Sequence, residues 1–327
     1  MMKYDRFEEV PLDRIDGSDK RFAFAFPENV EELLPSVKAS GVLVPLFLQD
    51  LGTGLFRIVC GHRRVAAAKR VGIRQVPARV VGVEVGDLDL YLAGIRENLA
   101  VRPVNNIERG RCLHRLVSDF GVDRATRNEV MNQLGISPCD RLYKQYAGLV
   151  RLTGKLQNYV VLHNIPVRVC TRIAAWPETG QRSLEGMLQR VTFGGNALRK
   201  LVDFLEEIAL REKTTPGKIL ERPEISLLRE NRDLTSTQIR ERVEEVLREF
   251  RFPELTEQCA TLNSLLKKVC PREVQLFLPS FLEGEKVEVH FRFGSVDELR
   301  ERTASLNGIA DREETGKILA SLKQLNS

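Results

Sequence analysis

Apolar positions in the first hundred residues fall into short runs broken by glycine. Residues 7–15, 44–48, 55–60 and 76–83 are rich in β-branched and aromatic side chains over strand-length stretches. Residues 50–54 have the composition of a hairpin turn. An alanine-rich run, 65–71, lies between the last two strands. It has strong helix preference and ends at Gly72, where a left-handed C-cap belongs. Residues 26–41 predict a helix with Asn29 as N-cap, Gly41 as stop and a break at Pro35. Residues 87–98 predict another. The pattern is a small α/β domain, placed at 1–104.

The period then becomes helical. Asn106 can cap a helix whose apolar face is Ile107, Leu113, Leu116, Val117 and Phe120. Asp123 can cap a second, running to Leu134 and stopped by Gly135. Ser137-Pro138-Cys139-Asp140 resembles a capping box, with Ser137 as N-cap and Pro138 at the first helical position. The helix it opens has Leu142, Tyr146 and Leu149 on one face, leaving Arg141, Lys144 and Gln145 to face outward. Helix, glycine turn and capped helix with a basic face predict a helix-turn-helix, whose second helix enters the major groove of DNA. A helical hairpin with a solvated face is the plainer alternative. Short helices continue through 153–199, with His163 and Trp176 as core, and 196–211 is a strongly amphipathic helix. This all-helical domain spans 105–212.

Pro216, Gly217, Pro223 and dense charge mark 213–234 as a linker. The last domain, 235–327, opens with helices at 235–250 and 253–269. Strands follow at 273–278 and 286–293, and a helix begins near Ser295 with Glu298 three residues on. Val287, Val289, Phe291 and Phe293 alternate with polar residues, as a half-buried strand does. The fold class is α+β, mostly helical: an α/β domain, a helix-turn-helix domain, and helices with a two-stranded ββα unit.

Composition narrows the classes. The 327 residues, 43% hydrophobic and 29% charged, fit a soluble globular protein of two or three domains. The net charge of +5 is unevenly spread. Between Arg124 and Arg172, eight lysines and arginines face two acids, Glu129 and Asp140, a field suited to a polyanion. The six cysteines show no zinc-ligand spacing and read as reduced thiols in a cytosolic protein. No apolar run approaches a membrane span.

The candidate chemistry centres on residues 61–64. Gly61, His62, Arg63 and Arg64 sit between strand and helix, where free backbone N–H groups favour anions. Two arginines there oppose the helix dipole, which reads either as ordinary solvated charge or as a cost accepted for phosphate. Glu97 and Asn98 offer a carboxylate and an amide oxygen, ligands for a hard cation such as Mg²⁺; alone, the pair also reads as a solvated helix end.

The stretch GHRRVAAAKRVGIRQVPARV, residues 61–80, resembles the central box of the ParB family. Residues 36–49, 97–108 and 122–152 are similar, in family order, to the segment before the box, the ENLQR-type motif and the helix-turn-helix. The resemblance covers roughly 8–175. It implies CTP held through Gly61, His62, Arg63 and Arg64, Mg²⁺ held through Glu97 and Asn98, and double-stranded DNA held through Arg124, Ser137, Arg141, Lys144, Gln145 and Arg151. It further implies slow CTP hydrolysis, chromosome or plasmid partition, a ParA-type ATPase partner, a palindromic site and a nucleoid-associated protein in the cytoplasm, off the membrane. The C-terminal strand pair and helix are similar to the family's dimerisation domain, implying a homodimer. Two positions depart from the pattern: Ala66 and Val101 stand where arginine is usual.

Other readings share these residues. One is a ParB-like transcription or nucleoid regulator without a nucleotide switch. Sulfiredoxin has the same N-terminal fold but a catalytic cysteine directly before its His-Arg pair, where this chain has Gly61, with Cys60 one residue earlier. A free-serine kinase of this fold needs a carboxylate base in the box, where this chain has His62.

Overall fold

The computed structural model describes residues 6–270, 274–279 and 282–326. The chain forms two compact units, 1–203 with 215–221, and 204–214 with 222–327.

The first unit begins with a five-stranded mixed sheet. Its strands are β1 (Arg6–Pro11), β2 (Ile15–Asp16), β3 (Leu46–Asp50), β4 (Phe56–Cys60) and β5 (Gln75–Val81), in the order β1-β5-β3-β4-β2. β3 runs parallel to β5 and antiparallel to β4, and Leu46, Leu48, Ile58, Ala78 and Val80 are buried beneath two helices. These are α1 (Leu34–Ser40) and α2 (His62–Val71). α1 is shorter than the sequence suggests. The Asn29 carboxamide oxygen instead accepts from the Glu31 N–H at 2.9 Å, a 3-10 turn covers Glu31–Leu33, and Pro35 stands in the first turn of α1. Proline tolerates that position because its missing N–H has no acceptor there.

α3 (Asp87–Val101) continues three residues past the expected end, so Glu97 and Asn98 lie on its last turns. α4 (Asn106–Ser118) is capped by Asn105, one residue before the expected cap. The Asn105 side chain accepts from the Glu108 N–H and Glu108 returns to the Asn105 N–H, each at 3.0 Å, a reciprocal box that Asn106 cannot make with Arg109.

α5 (Arg124–Gln133) starts at Asp123 as expected, its carboxylate accepting from Thr126 N–H at 2.8 Å. Beyond Gly135 the Ile136 N–H closes on the Met131 carbonyl at 2.8 Å. That closure buries Ile136 and leaves Ser137 and Pro138 in the turn, so α6 (Asp140–Ala147) is capped by Cys139 rather than Ser137. α6 packs on α4 at Gly110, where a Cβ would collide with the Tyr146 carbonyl.

α7 (Gly154–Leu162), α8 (Val167–Ile173) and α9 (Glu178–Arg190) follow, with Trp176 buried and His163 half-buried against Tyr159. α10 (Gly195–Arg211) is amphipathic, and the boundary between the units falls within it. The stretch read as a linker is helical. Thr215 caps α11 (Pro216–Leu220), whose Ile219 and Leu220 are fully buried in the first unit, while α12 (Pro223–Glu230) buries Ile225 in the second. In both helices the proline that suggested a breaker occupies the first turn.

The second unit also holds α13 (Ser236–Arg251), α14 (Pro253–Val269), the antiparallel pair β6 (Val274–Phe277) and β7 (Glu288–Phe291), α15 (Val296–Ala310) and α16 (Glu313–Asn326). Glu273, the expected start of the first strand, lies outside the described residues. Val274 is buried with Leu262, Leu266 and Ile318, and Val287 and Phe291 pack against that cluster. The expected alternation fails at Val289 and Phe293, which remain 41% and 54% exposed. Two strands have too little surface to cover both. No helix among the described residues is long and apolar enough to cross a membrane.

Candidate functional site

Residues 61–64 enter α2 through a left-handed glycine. Gly61 has φ 114°, and a Cβ there would lie 2.6 Å from Cδ2 of Leu46, so both backbone angle and space require glycine. Strand β4 leads into this turn, and α3 brings Glu97 and Asn98 back to it. Gly61, His62, Arg63, Arg64, Glu97 and Asn98 thus line one cleft of about 250 Å³, with Phe22, Phe24, Leu33 and Val44 among its apolar walls.

Every charged group in the cleft is engaged. Arg64 donates to the carbonyls of Val44 and Pro45 at 2.9 and 2.7 Å, and to Oε1 of Glu97 at 2.9 Å. Arg63 donates to the Asn29 carbonyl at 2.9 Å and stands 3.7 Å from the Glu32 carboxylate. The His62 ring nitrogen Nε2 lies 3.4 Å from the Asp19 carbonyl, and burial lowers its pKa to about 4, so the ring is neutral at pH 7. Burial, with Glu97 adding to it, pushes the Cys60 thiol up to about 12. That makes Cys60 a packing residue, since nucleophilic cysteines need a thiolate.

The donor set fits a hard cation shared with a ligand. Glu97 Oε2 is buried with no hydrogen-bond partner. Asn98 uses its amide nitrogen on the Gly94 carbonyl at 2.8 Å and on Cys60 Sγ at 3.2 Å, and its oxygen accepts no hydrogen bond among the described residues. No group of three or more His, Cys, Asp or Glu residues placed to hold a metal occurs among the described residues. Two oxygens suit Mg²⁺, which commonly takes one or two protein ligands and completes its shell with phosphate and water.

Sequence reasoning missed a second pair at the cleft's rim. Arg102 binds Glu108 through two parallel bonds, at 2.8 and 2.6 Å, and Glu108 is 1% exposed. Glu108 also accepts the Phe26 N–H at 2.9 Å, and Asn105 donates to the Phe26 carbonyl at 2.7 Å. The signal was present as Asn-x-x-Glu at 105–108, a capping box whose acid has further work. Arg102 therefore does not supply the charge that Val101 lacks. Ala66 is exposed on α2 and borders a different hollow, with Asp16 and Lys69.

A family model describes this region. The ParB N-terminal domain matches residues 1–99. Residues 1–99, less than a third of the chain, thus resemble a ParB N-terminal domain. Among curated proteins, a probable chromosome-partitioning protein ParB from Vibrio cholerae serotype O1 is 33% identical over 107 residues, 33% of this chain and 36% of that protein. The chromosome-partitioning protein ParB of Myxococcus xanthus is 31% identical over 128 residues, 39% of this chain and 41% of that one. The chain thus matches little more than a third of its relatives' length. Among solved structures is the C-terminally truncated chromosome-partitioning protein ParB from Caulobacter crescentus. Its complex with the centromeric parS site is 23% identical, covering 60% of this chain and 98% of that one with a TM-score of 0.34. Its complex with CTP-gamma-S is 24% identical, covering 55% and 97% with a TM-score of 0.26.

Beyond the matched residues 1–99, the residues expected at DNA lie on and around α6. Ser137, Arg141, Lys144 and Arg151 are exposed and Gln145 half-exposed. Arg141, Lys144 and Arg151 have no side-chain hydrogen bond or ion pair among the described residues. Arg124 differs: it stands 3.4 Å from Asp140, which also binds Arg127 at 2.6 Å. Those arginines, Arg127 first, lower the Asp140 pKa. Arg127 in turn lies over the Tyr143 ring, 4.6 Å from its centroid. An α5 arginine thus holds the first turn of α6.

Proposed function

We propose that this is a DNA-binding partition protein of the ParB kind, acting as a dimer at a palindromic site, whose N-terminal cleft takes CTP with Mg²⁺. The observation that carries the reading is the meeting of the 61–64 turn with Glu97 and Asn98 in one cleft of a ParB N-terminal domain. The names of the curated relatives support partition as the role. Arg63 and Arg64 bind the phosphate chain, Gly61 lets the backbone approach it, and Glu97 and Asn98 hold Mg²⁺, which neutralises phosphate charge. His62 is neutral and faces a carbonyl, a weak base for water, so bound CTP turns over slowly. Ser137, Arg141, Lys144, Gln145, Arg124 and Arg151 contact the DNA. The exposed Val289 and Phe293 pair with a second copy. A ParA-type ATPase would act on the assembled complex at the nucleoid.

Calorimetry on the full chain tests this. CTP should bind with Mg²⁺, more tightly than ATP, and Arg64→Ala should abolish it. Absence of CTP binding with and without a DNA site, while DNA is still bound, would favour the second reading, a regulator without a nucleotide switch. The specific observation behind that reading is Arg102, committed to Glu108 beside a cleft that has Val101 where the family has arginine. Dimerisation is checked by the solution mass of the full chain against one ending at residue 252.

A further inference from the structure

Arg111, on α4, is a sheltered cation without an acid. It is half-buried, and its guanidinium lies over the Phe26 ring, 4.1 Å from the centroid. Nε and Nη2 both donate to Oε1 of Gln157, at 3.2 and 2.8 Å. Gln157 is itself buried, and its amide donates to the Leu152 carbonyl at 2.7 Å, so the guanidinium is fixed in place. Arg57, Arg64 and Arg102, which are similarly sheltered, each face a carboxylate, of Asp19, Glu97 and Glu108. Arg111 has no such ion pair among the described residues. A neutral amide oxygen orients a guanidinium but does not neutralise it, and a desolvated charge without a counter-charge is costly. Burial lowers the Arg111 pKa, and neighbouring Arg115 adds to that effect.

The surroundings add positive charge rather than negative. Lys20, Arg111, His114 and Arg115 line one hollow of about 280 Å³, and Glu28 is its one acid. Glu28 is taken by Lys20 at 3.2 Å. Arg115 donates to the Lys20 carbonyl at 2.6 Å and to the Ala23 carbonyl, which sets the loop carrying Lys20 against α4. Of the five N–H donors of Arg111, two are spent on Gln157. The edge shared by Nη1 and Nη2 keeps the rest, with no acceptor among the described residues. That edge is the fork that takes two oxygens of one oxyanion. Three cations against one acid favour a doubly charged phosphate over a singly charged carboxylate.

We propose that this hollow is a seat for a phosphate group, held bidentately by Arg111 and flanked by Arg115 and Lys20. None of Gly61, His62, Arg63, Arg64, Glu97 and Asn98 lines it, nor does any residue expected at DNA. A seated phosphate supplies the missing counter-charge and bridges Lys20 to α4, so it stabilises the folded chain by mass action. The group belongs either to a free phosphate or to the backbone of a DNA duplex, and one set of variants separates the two sources.

The test uses the full chain as wild type, Arg111→Gln and Lys20→Gln. The Lys20 side chain is 47% exposed, so its replacement leaves the fold intact even where the loss of Arg111 does not. Thermal unfolding midpoints are followed with rising inorganic phosphate against sodium chloride of equal ionic strength, and non-specific duplex binding is followed against salt. If the ligand is free phosphate, the wild-type midpoint rises and saturates. Arg111→Gln then needs at least about ten times more phosphate for the same rise, the loss expected when hydrogen bonds to a charged group go. Lys20→Gln is weakened in the same direction by less. If the ligand is the duplex backbone, wild type and variants respond to phosphate alike, while the salt slope of duplex binding falls by about one in each variant. Phosphate also stabilises proteins in general by exclusion from their surfaces, and that effect is common to all three proteins. Variants that match the wild type in both measurements would overturn the seat.

Discussion

The first unit carries two cationic surfaces that hold their charge in opposite ways. In the cleft, Arg63, Arg64 and Arg102 are each partly buried and tied to a carbonyl or carboxylate of the chain. On α6, Arg141 and Lys144 stand in solvent, and only Arg124 and Arg127 share an acid. A ligand in the cleft must break existing bonds, so binding there is an exchange and can be conditional. A polyanion on α6 mainly displaces counterions, so binding there is additive and governed by salt. The same kind of charge is therefore held within the chain in one place and open to solvent in the other.

The largest expected effect breaks the cleft side of this contrast. Glu108 is fully buried and accepts from Arg102, Phe26 and Asn105. Glu108→Ala removes those bonds and leaves Arg102 without its counter-charge. Urea unfolding should show a loss of about 3–5 kcal/mol, as for a buried pair deprived of one partner. A loss below about 1 kcal/mol, the size of an exposed pair, would mean that the rim is not the rigid network described.

The next effect is a pH dependence confined to the cleft. The His62 pKa is lowered from 6.5 to about 4 by burial. A protein that binds this proton less readily when folded loses stability as pH falls, because the unfolded chain takes up the proton first. The contribution is complete above pH 6.5 and declines as pH drops toward 4. The full difference is about 3 kcal/mol at one pKa unit per 1.36 kcal/mol. Unfolding free energies from pH 7 to 4.5, compared between wild type and His62→Gln, isolate this group, and the variant should fall less steeply. Parallel curves would show that His62 titrates freely.

These two residues also show what the sequence could carry. The strands, the alanine-rich helix, its glycine boundaries and the 61–64 box were legible because each depends on local propensity and spacing. Glu97 and Asn98 were legible as a pair through family resemblance, and their nearness to Arg64 follows from α3 packing back over β4. The bond of Glu97 to Arg64 was not, because it is a tertiary contact between residues 33 positions apart. Glu108 was hidden for the same reason: a capping box announces a helix start, and nothing local says that Arg102 and Phe26 will share the acid. Cap positions slipped by one at Asn105 and by two at Cys139, where a reciprocal hydrogen bond and the burial of Ile136 outweighed the better single-residue cap. Prolines 216 and 223 misled by being read as breakers when they begin helices.

On the α6 side the expected effects are smaller and salt-dependent. Arg141→Ala should leave the unfolding free energy within about 0.5 kcal/mol of wild type, as for an exposed position without partners. Its effect on DNA should depend on what it touches. Loss of a base contact costs about 1–3 kcal/mol for the cognate site alone, whereas loss of a phosphate contact weakens all duplexes alike and lowers the salt slope by about one. Fluorescence titrations against cognate and scrambled duplexes at several salt concentrations separate the two. Unchanged affinity for both would remove Arg141 from the interface.

The smallest effect concerns the one place where the two surfaces resemble each other. Asp140 opens α6 with a negative charge, favourable to the helix dipole but unfavourable beside phosphate. It is answered by Arg127 at 2.6 Å and Arg124 at 3.4 Å. If α6 faces DNA, Asp140 keeps two arginines from contributing fully to the counterion balance. Asp140→Asn retains an acceptor for Arg127 and the start of the helix while removing the charge. Non-specific duplex binding should tighten and its salt slope should steepen by about one unit, as an added neutralised phosphate would produce. Arg127 should stay over Tyr143, since the ring contact does not need the carboxylate. Should the slope stay as in the wild type while affinity for the cognate site alone falls, Asp140 would instead be an acceptor for a base edge, and this end of α6 would belong, like the cleft, to the part of the molecule that works by exchange.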